Sequence, residues 1–561
     1  MSTHTTLIDT VGGLRARLEG VALALDVPGA GEARRARDEL VGQIDDYLLP
    51  RLRSIDAPLV VVVGGSTGAG KSTILNSLVG RVVSPAGVLR PTTTTPVLVA
   101  NPHDIEWFST DRILPELPRL TGSLHRGAKG LYLVQDADVP RGLALLDAPD
   151  IDSIVITNRQ LGVQLLAAAD LWLFVTTAAR YADAVPWEFL RRARERSTSI
   201  ALLLNRVPEE ARDDVPAHFA DLLSREGLGE APVLTIPEAT LENGLISEDH
   251  LDGVRRWLNA LGADAQARAA VVKQTLEGAL GSIGDRVEIV AGAIEQQIAA
   301  ADSLAAEATA AYAAALTEIE QGLSGGPLLR AEVLARWYEF IGTGDVMRQI
   351  QSAIGRTRDR IMDALLGRPP VEQEVSSAVE QSIEVLVESS CDKAADRLVV
   401  AWRATNAGRG LLAEVPPRSS KEFRALLDQE VRAWQGRVLE LVAAQGATKR
   451  VAGRAISFGV NAVGAALMIT AFAHTGGLTG GEVAIAGGAA AVSQRLLEAL
   501  FGDQAVRDLT ATARTDLLDR LEDIVRAEAA RYEVTARRAA DDPREIDALR
   551  GVSSQIRGIT K

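Results

Sequence analysis

The segment that most constrains this chain lies between residues 59 and 79. A β-branched run, Leu59–Val63, meets Gly64-Gly65-Ser66-Thr67-Gly68-Ala69-Gly70-Lys71-Ser72-Thr73, and a helical stretch follows over Lys71–Val79. Strand, glycine-rich loop and helix in that order are the context that the pattern G-x-x-x-x-G-K-[ST] requires. The glycines let backbone N–H groups wrap around phosphate oxygens, and the helix N-terminus adds positive potential. Lys71 reaches the β- and γ-phosphates of a nucleotide, and Ser72 is placed to ligate Mg²⁺. Gly65, Ser66, Thr67, Gly68, Ala69, Gly70, Lys71, Ser72 and Thr73 are therefore the candidate nucleotide-binding residues. The plainer alternative, a glycine-rich turn that binds nothing, does not explain why the strand and helix flank it in this order.

Further buried strands are expected at Leu143–Leu146, Leu171–Val175, Ile200–Leu204 and Val233–Ile236, with helical stretches such as Trp187–Arg196 between them. Strands alternating with helices predict a parallel sheet with helices on both faces, here over 57–258. Strand signals then cease. Leu276, Leu280, Ile283, Val287, Val290 and Ile294 repeat at heptad spacing, and a helix over Val254–Leu323 would run roughly 100 Å at about 1.5 Å per residue. Gly325-Gly326-Pro327, Pro369-Pro370 and Pro416-Pro417 divide the remainder into further helices, giving an expected helical bundle over 259–450 and a returning helix over 496–561. Residues 1–56 read as helices broken at Pro28–Gly31, and are expected to pack on that bundle because the α/β unit is complete without them.

Other chemistry gathers around the loop. The apolar strand Leu143–Leu146 delivers Asp147 to its C-terminal end, where a carboxylate can hold Mg²⁺ through water. In Arg90-Pro91-Thr92-Thr93-Thr94-Thr95-Pro96, Thr93 or Thr94 is placed to meet metal and γ-phosphate; a plain loop-to-strand junction is the alternative. Asn205-Arg206-Val207-Pro208 follows the strand Ile200–Leu204, where Asn205 and the aliphatic stem of Arg206 can flank a base. Pro208 cannot accept the two hydrogen bonds by which a carboxylate selects guanine.

Composition excludes several classes. Sixty Lys and Arg stand against 74 Asp and Glu, a net charge of −14, so a general nucleic-acid binder is not expected. The single cysteine, Cys391, rules out a disulfide scaffold within the chain and a cysteine-rich zinc site. Met1–Gly20 carries charges and no continuous apolar core, and does not read as a signal peptide. Hydrophobic residues make up 47% and aromatic residues only 4%, a mix weighted to Ala, Leu, Val and Ile that suits long helices. Part of that apolar content is concentrated: the 27 residues Ala455–Gly481 carry no Asp, Glu, Lys or Arg. Lys449, Arg450, Arg454 and Arg495 flank the stretch and suit anionic headgroups. Residues 451–495 are expected to form a membrane-contacting tip or hairpin, against the alternative of an Ala- and Gly-rich helix buried in the bundle. Leu323-Ser324-Gly325-Gly326 reads as a helix break, Arg191–Arg196 as a solvated helix face, and Trp107, Phe108 and Trp172 as core.

The loop followed by Ile74-Leu75-Asn76-Ser77-Leu78-Val79-Gly80, the Arg-Pro-Thr-Thr segment, Asp147-Ala148-Pro149-Asp150-Ile151-Asp152-Ser153 and Ala169–Thr177 together resemble bacterial dynamin-like, membrane-associated P-loop GTPases. The resemblance is specific over about 59–210 and architectural beyond. It implies an α/β P-loop NTPase domain, G-domain-like, followed by an extended α-helical bundle with an apolar tip. It implies GTP and Mg²⁺ as cofactors, with Ser72, Thr93 or Thr94 and Asp147 at the metal. It also implies membrane lipid and a second copy of the chain as partners, no nucleic acid, and a place at the cytoplasmic membrane. Lys71, Thr93, Thr94 and Thr67 become the candidate catalytic residues. Three positions depart from the family: Thr67 replaces the glutamine that orients water in dynamins, Asp150 replaces the usual glycine, and Pro208 replaces the base-reading aspartate. These departures point to slow or partner-dependent turnover. They leave open an ATPase with coil-like arms, or a nucleotide-binding membrane scaffold with little hydrolysis.

Overall fold

A computed structural model describes residues 2–85, 95–110, 112–115, 117–122, 129–150, 156–195, 198–324, 372–415, 418–447, 460–473, 493–494, 497–498 and 501–560. The chain divides into two compact units. Met1–Leu23, Pro28–Glu295 and Asp541–Lys561 form the first, and Ala24–Val27 with Gln296–Ala540 the second.

The first unit is built on an eight-stranded sheet: β1 Leu59–Gly65, β2 Val97–Ala100, β3 Arg119–Leu120, β4 Leu131–Gln135, β5 Leu143–Asp147, β6 Leu171–Thr177, β7 Ser199–Val207 and β8 Val233–Pro237. The spatial order is β3-β4-β2-β5-β1-β6-β7-β8. Every neighbouring pair is parallel except β2 and β5, which run antiparallel with Val97 opposite Asp147. The alternation of side chains along a strand assigns β1 to two cores at once. Leu59, Val61 and Val63 pack with Leu75, Leu145, Leu173 and Leu203, whereas Val60 and Val62 pack with Leu98, Leu146 and Leu165. A strand buried on both faces needs the continuous apolar run that Leu59–Val63 supplies. Five strands lie where the sequence predicts them. β2, β3 and β4 were not among those predicted.

The N-terminal helices depart from expectation. The helices Ser2–Gly20, Ala30–Gln43 and Leu49–Arg53 belong to the unit that carries the sheet, as does the C-terminal helix Arg544–Thr560. The reason is polar. Arg51, nearly fully buried, donates to both carboxylate oxygens of Asp170, at 2.8 Å to Oδ1, and to the carbonyl of Ala57 at 2.9 Å. Asp541 accepts from the backbone N–H of Ala22 at 2.6 Å and of Leu23 at 2.9 Å, and Arg17 pairs with Glu545 at 3.1 Å.

The long helix expected over Val254–Leu323 is three helices: Glu248–Ala263, Ala265–Gly281 and Ile283–Ser324. The first break is an N-cap. Asp264 leaves helical geometry (φ −95°, ψ 100°) and its carboxylate accepts from the N–H groups of Gln266 and Ala267. The heptad residues Leu276, Leu280, Ile283, Val287, Val290 and Ile294 are all buried.

The second unit is helical among its described residues: Glu372–Arg403, Asn406–Leu411, Lys421–Ala447, Val460–Ala473 and Asp503–Arg538, with the part of Ile283–Ser324 beyond Glu295. Its core contains Tyr312, Trp402, Trp434 and Tyr532; the Trp434 indole N–H donates to the carbonyl of Ala513 at 2.7 Å. Cys391 is buried there, and burial pushes its thiol up to about 12. The helix Val460–Ala473, from the stretch expected to contact membrane, instead buries Val463 and Ala465–Met468 in this core. Gly464 allows the close approach: a Cβ there would lie 2.4 Å from Leu439 Cδ2. Residues 448–459 and most of 474–500, with the flanking Lys449, Arg450, Arg454 and Arg495, lie outside the described residues. Among the described residues no helix is long and apolar enough to cross a membrane.

Candidate nucleotide site

The parallel strands β1, β5, β6 and β7 end on one edge of the sheet, and the predicted phosphate loop lies on it. β1 passes through residues 66–70 into the helix Lys71–Val79. Two glycines there are obligatory. Gly65 has φ +146°, and a Cβ would sit 2.1 Å from the Val175 carbonyl oxygen of β6. Gly70 has φ +97°, and a Cβ would sit 2.6 Å from Asn205 Nδ2.

The Lys71 ammonium donates three hydrogen bonds, to the carbonyls of Gly65 and Ser66 at 3.0 Å each and to Asp150 Oδ1 at 2.5 Å. Lys71 and Asp150 are both buried. Ser72 Oγ donates to Asp147 Oδ2 at 2.6 Å, and Ser84 Oγ donates to the same oxygen at 2.5 Å. The other oxygen, Asp147 Oδ1, is buried with no hydrogen-bond partner among the described residues, and so is Ser66 Oγ. Burial pushes the Asp147 carboxyl above the usual carboxylate range, while the two serine hydroxyls and Lys71 pull it down. A hard cation is the partner that a buried, half-satisfied carboxylate beside a serine hydroxyl lacks. The donor set thus fits Mg²⁺, with Ser72 and Asp147 as the residues to hold it.

Asn205, at the end of β7, is buried and donates from Nδ2 to the carbonyl of Ala69 at 2.9 Å, while its Oδ1 accepts from the N–H of Arg206. Arg206 takes a left-handed conformation, φ +54°, and is exposed. Pro208 follows with extended geometry. The structure therefore brings Gly65–Thr73, Asp147 and Asn205 to one edge, with Arg206 beside them. Of the segment's threonines only Thr95 is described, and it is buried; Thr92, Thr93 and Thr94 lie outside the described residues, as do residues 151–155.

Three partners were not anticipated from sequence. Ser84 shares Asp147 Oδ2 with Ser72, and Asp150 is the side-chain partner of Lys71. Arg180, just past β6, donates from Nη1 to the Thr67 carbonyl at 2.9 Å and from Nε to Asp183 at 2.9 Å. The Ser84–Asp147, Lys71–Asp150 and Arg180–Thr67 contacts each join residues far apart in the chain and carry no local pattern. The one signal for Asp150 was its presence where the resemblance expects glycine.

Sheet order, loop and the lysine–serine–aspartate group define an α/β fold of the P-loop, G-domain-like kind, joined to a helical region. No family model matches the chain. It is similar to a protein of Arabidopsis thaliana described as a probable transmembrane GTPase, FZO-like, chloroplastic, with 26% identity over 194 residues. That match spans 33% of this chain and 20% of the relative, so the chain matches about a fifth of the relative's length. Among solved structures, a bacterial dynamin pair described as sensing and tethering membranes aligns over 93% of this chain and 95% of its own, at 10% identity and a TM-score of 0.45. The LeoA bacterial dynamin GTPase from ETEC aligns over 100% and 98%, at 12% identity and a TM-score of 0.24.

Proposed function

We propose that this chain is a dynamin-like GTPase, which binds and hydrolyses GTP with Mg²⁺ and couples its nucleotide state to association with, or remodelling of, a membrane. The observation that carries the catalytic part is the group at the edge of β1 and β5: a buried Lys71 on a glycine loop, beside Ser72 and a buried Asp147 with one unpartnered oxygen. The FZO-like relative, named a probable transmembrane GTPase, supports the same direction. In this reading the loop's N–H groups and Lys71 bind and orient the β- and γ-phosphates. Asn205 holds the loop's Ala69 carbonyl in place, and Arg206 flanks the base. Ser72 and Asp147 would hold Mg²⁺, which would supply charge neutralisation at the phosphate oxygens. Thr93 or Thr94 would complete the metal site, and Thr67 lies where a water-orienting group is needed.

Membrane association at the cytoplasmic membrane is proposed from the uncharged residues on either side of the core-buried helix Val460–Ala473, with the flanking basic residues Lys449, Arg450, Arg454 and Arg495. Self-association through the α/β domain or the helical region belongs to the same reading, and nucleic acid does not. Purified protein should hydrolyse GTP in the presence of Mg²⁺ and float with anionic liposomes in a nucleotide-dependent way. Lys71→Ala should lower nucleotide affinity at least about 100-fold, a loss of roughly 2.7 kcal/mol. Unchanged affinity in that variant rejects the site. Because Pro208 lacks a carboxylate to read guanine, ATP must be tested in competition; ATP displacing GTP at equal concentration would favour the ATPase reading.

A further inference from the structure

We infer that Asp150 is an internal competitor for the nucleotide's terminal phosphate. Its carboxylate occupies one of the three donors of Lys71 and thereby sets how tightly a nucleotide's phosphate binds. The inference rests on the reading above that Lys71 binds nucleotide phosphates.

The count of donors carries it. An ammonium group has three N–H donors, and all three of Lys71 are engaged: two by the loop's own carbonyls, of Gly65 and Ser66, and one by Asp150 Oδ1 at 2.5 Å. The two carbonyls are fixed parts of the chain that makes the loop. Asp150 is a side chain on the segment that leaves β5, three residues past Asp147. A phosphate oxygen that takes a Lys71 donor displaces Asp150 more readily than a loop carbonyl. Nor can the carboxylate and the phosphate share the ammonium: two anions at one buried cation repel, and the site is shielded from solvent.

Lys71 reaches both the β- and the γ-phosphate. A diphosphate or a triphosphate that takes a Lys71 donor must expel the single Asp150 contact, so removing the Asp150 charge tightens the binding of both. A carboxylate at this position makes the nucleotide-free loop self-neutralised, where glycine would leave the lysine open to any passing phosphate.

The test is equilibrium binding of fluorescent GTP and GDP to the full chain, with and without Mg²⁺, for wild type, Asp150→Asn, Asp150→Ala, Asp150→Glu and Lys71→Ala. Asp150→Asn and Asp150→Ala should tighten the binding of both GTP and GDP on the order of tenfold or more. Asp150→Glu, which keeps the charge, should bind as weakly as wild type. Circular dichroism confirms that each variant is folded, and the Asp150→Glu comparison separates the charge from a merely structural role. Binding by wild type that Lys71→Ala abolishes, with no gain in either neutral variant, overturns the inference while leaving the nucleotide site intact. Binding that Lys71→Ala does not alter, or its absence from every variant, overturns the nucleotide reading and this inference together. Measurable GTP binding in Asp150→Asn where wild type shows none supports it.

Discussion

Two buried ion pairs sit at opposite ends of the same sheet, and they differ in what surrounds them. At the N-terminal ends of β1 and β6, Arg51 and Asp170 carry a dense set of hydrogen bonds, and beside them only the Tyr47 hydroxyl is buried without a partner among the described residues. Arg51 also donates to Ala57 at 2.9 Å, Asp170 Oδ2 accepts from the N–H of Val60 at 2.8 Å, and the Asp170 carbonyl accepts from Thr275 Oγ1 at 2.8 Å. At the C-terminal ends, Lys71 and Asp150 make a contact just as direct, yet the neighbouring Asp147 Oδ1 and Ser66 Oγ have no partner among the described residues. Saturated polar groups fix a structure, whereas a polar group left half-satisfied is where a ligand gains the most. The first pair ties N-terminal helices to the sheet. The second is arranged for exchange.

The largest effect expected from this contrast is at the densely bonded end. Arg51→Met leaves Asp170 buried without its cation, and should lower stability by about 3–5 kcal/mol. Chemical denaturation measures it. Asp150→Asn, tested above for binding, should cost less stability, because Lys71 keeps its two loop carbonyls and the asparagine amide oxygen can still accept from it. If the two variants lose equal stability, the distinction between a fixed and an exchangeable pair falls.

A middle-sized effect tests how far the densely bonded network extends. Thr275 Oγ1 donates to the Asp170 carbonyl and accepts from the N–H of Ser199 at 3.0 Å. Thr275→Val keeps the shape and leaves both buried backbone groups unpaired. The expected cost is about 1–3 kcal/mol, with nucleotide affinity unchanged because the site lies at the other end of the strands. A fall in affinity would mean that the two ends are coupled.

The same contrast explains what the sequence disclosed. β1 was legible because a doubly buried parallel strand must be apolar at every position, and the loop after it because its glycines and lysine are contiguous. β2 and β4 were not, though Val97-Leu98-Val99-Ala100 and Leu131-Tyr132-Leu133-Val134 are themselves apolar runs; with no helix between β4 and β5, the α/β alternation that located the other strands was missing. The break at Asp264 had a readable signal, an aspartate directly after Gly262-Ala263 at the start of a helical stretch. Arg51–Asp170 and Arg180–Thr67 had none, and Lys71–Asp150 only the departure from glycine at Asp150, because each joins residues that only the fold brings together. The N-terminal helices were assigned to the other unit for that reason: their apolar spacing shows that they bury a face, and contacts between distant residues, such as Arg51–Asp170 and Arg17–Glu545, accompany the face they meet.

The smallest effect concerns Asn205, whose role is to position the loop. Its side-chain amide donates to the Ala69 carbonyl at 2.9 Å and lies where a Cβ on Gly70 would otherwise fit. Asn205→Ala removes that bond, but leaves the three Lys71 contacts and the Ser72–Asp147 bond in place. Stability should fall by about 1 kcal/mol, and nucleotide affinity by no more than about tenfold, well short of the loss expected for Lys71→Ala. Calorimetric titration of wild type and variant decides it. A loss as large as that of Lys71→Ala would show that the loop depends on β7 for its shape, and that the exchangeable end of the sheet is held as firmly as the densely bonded one.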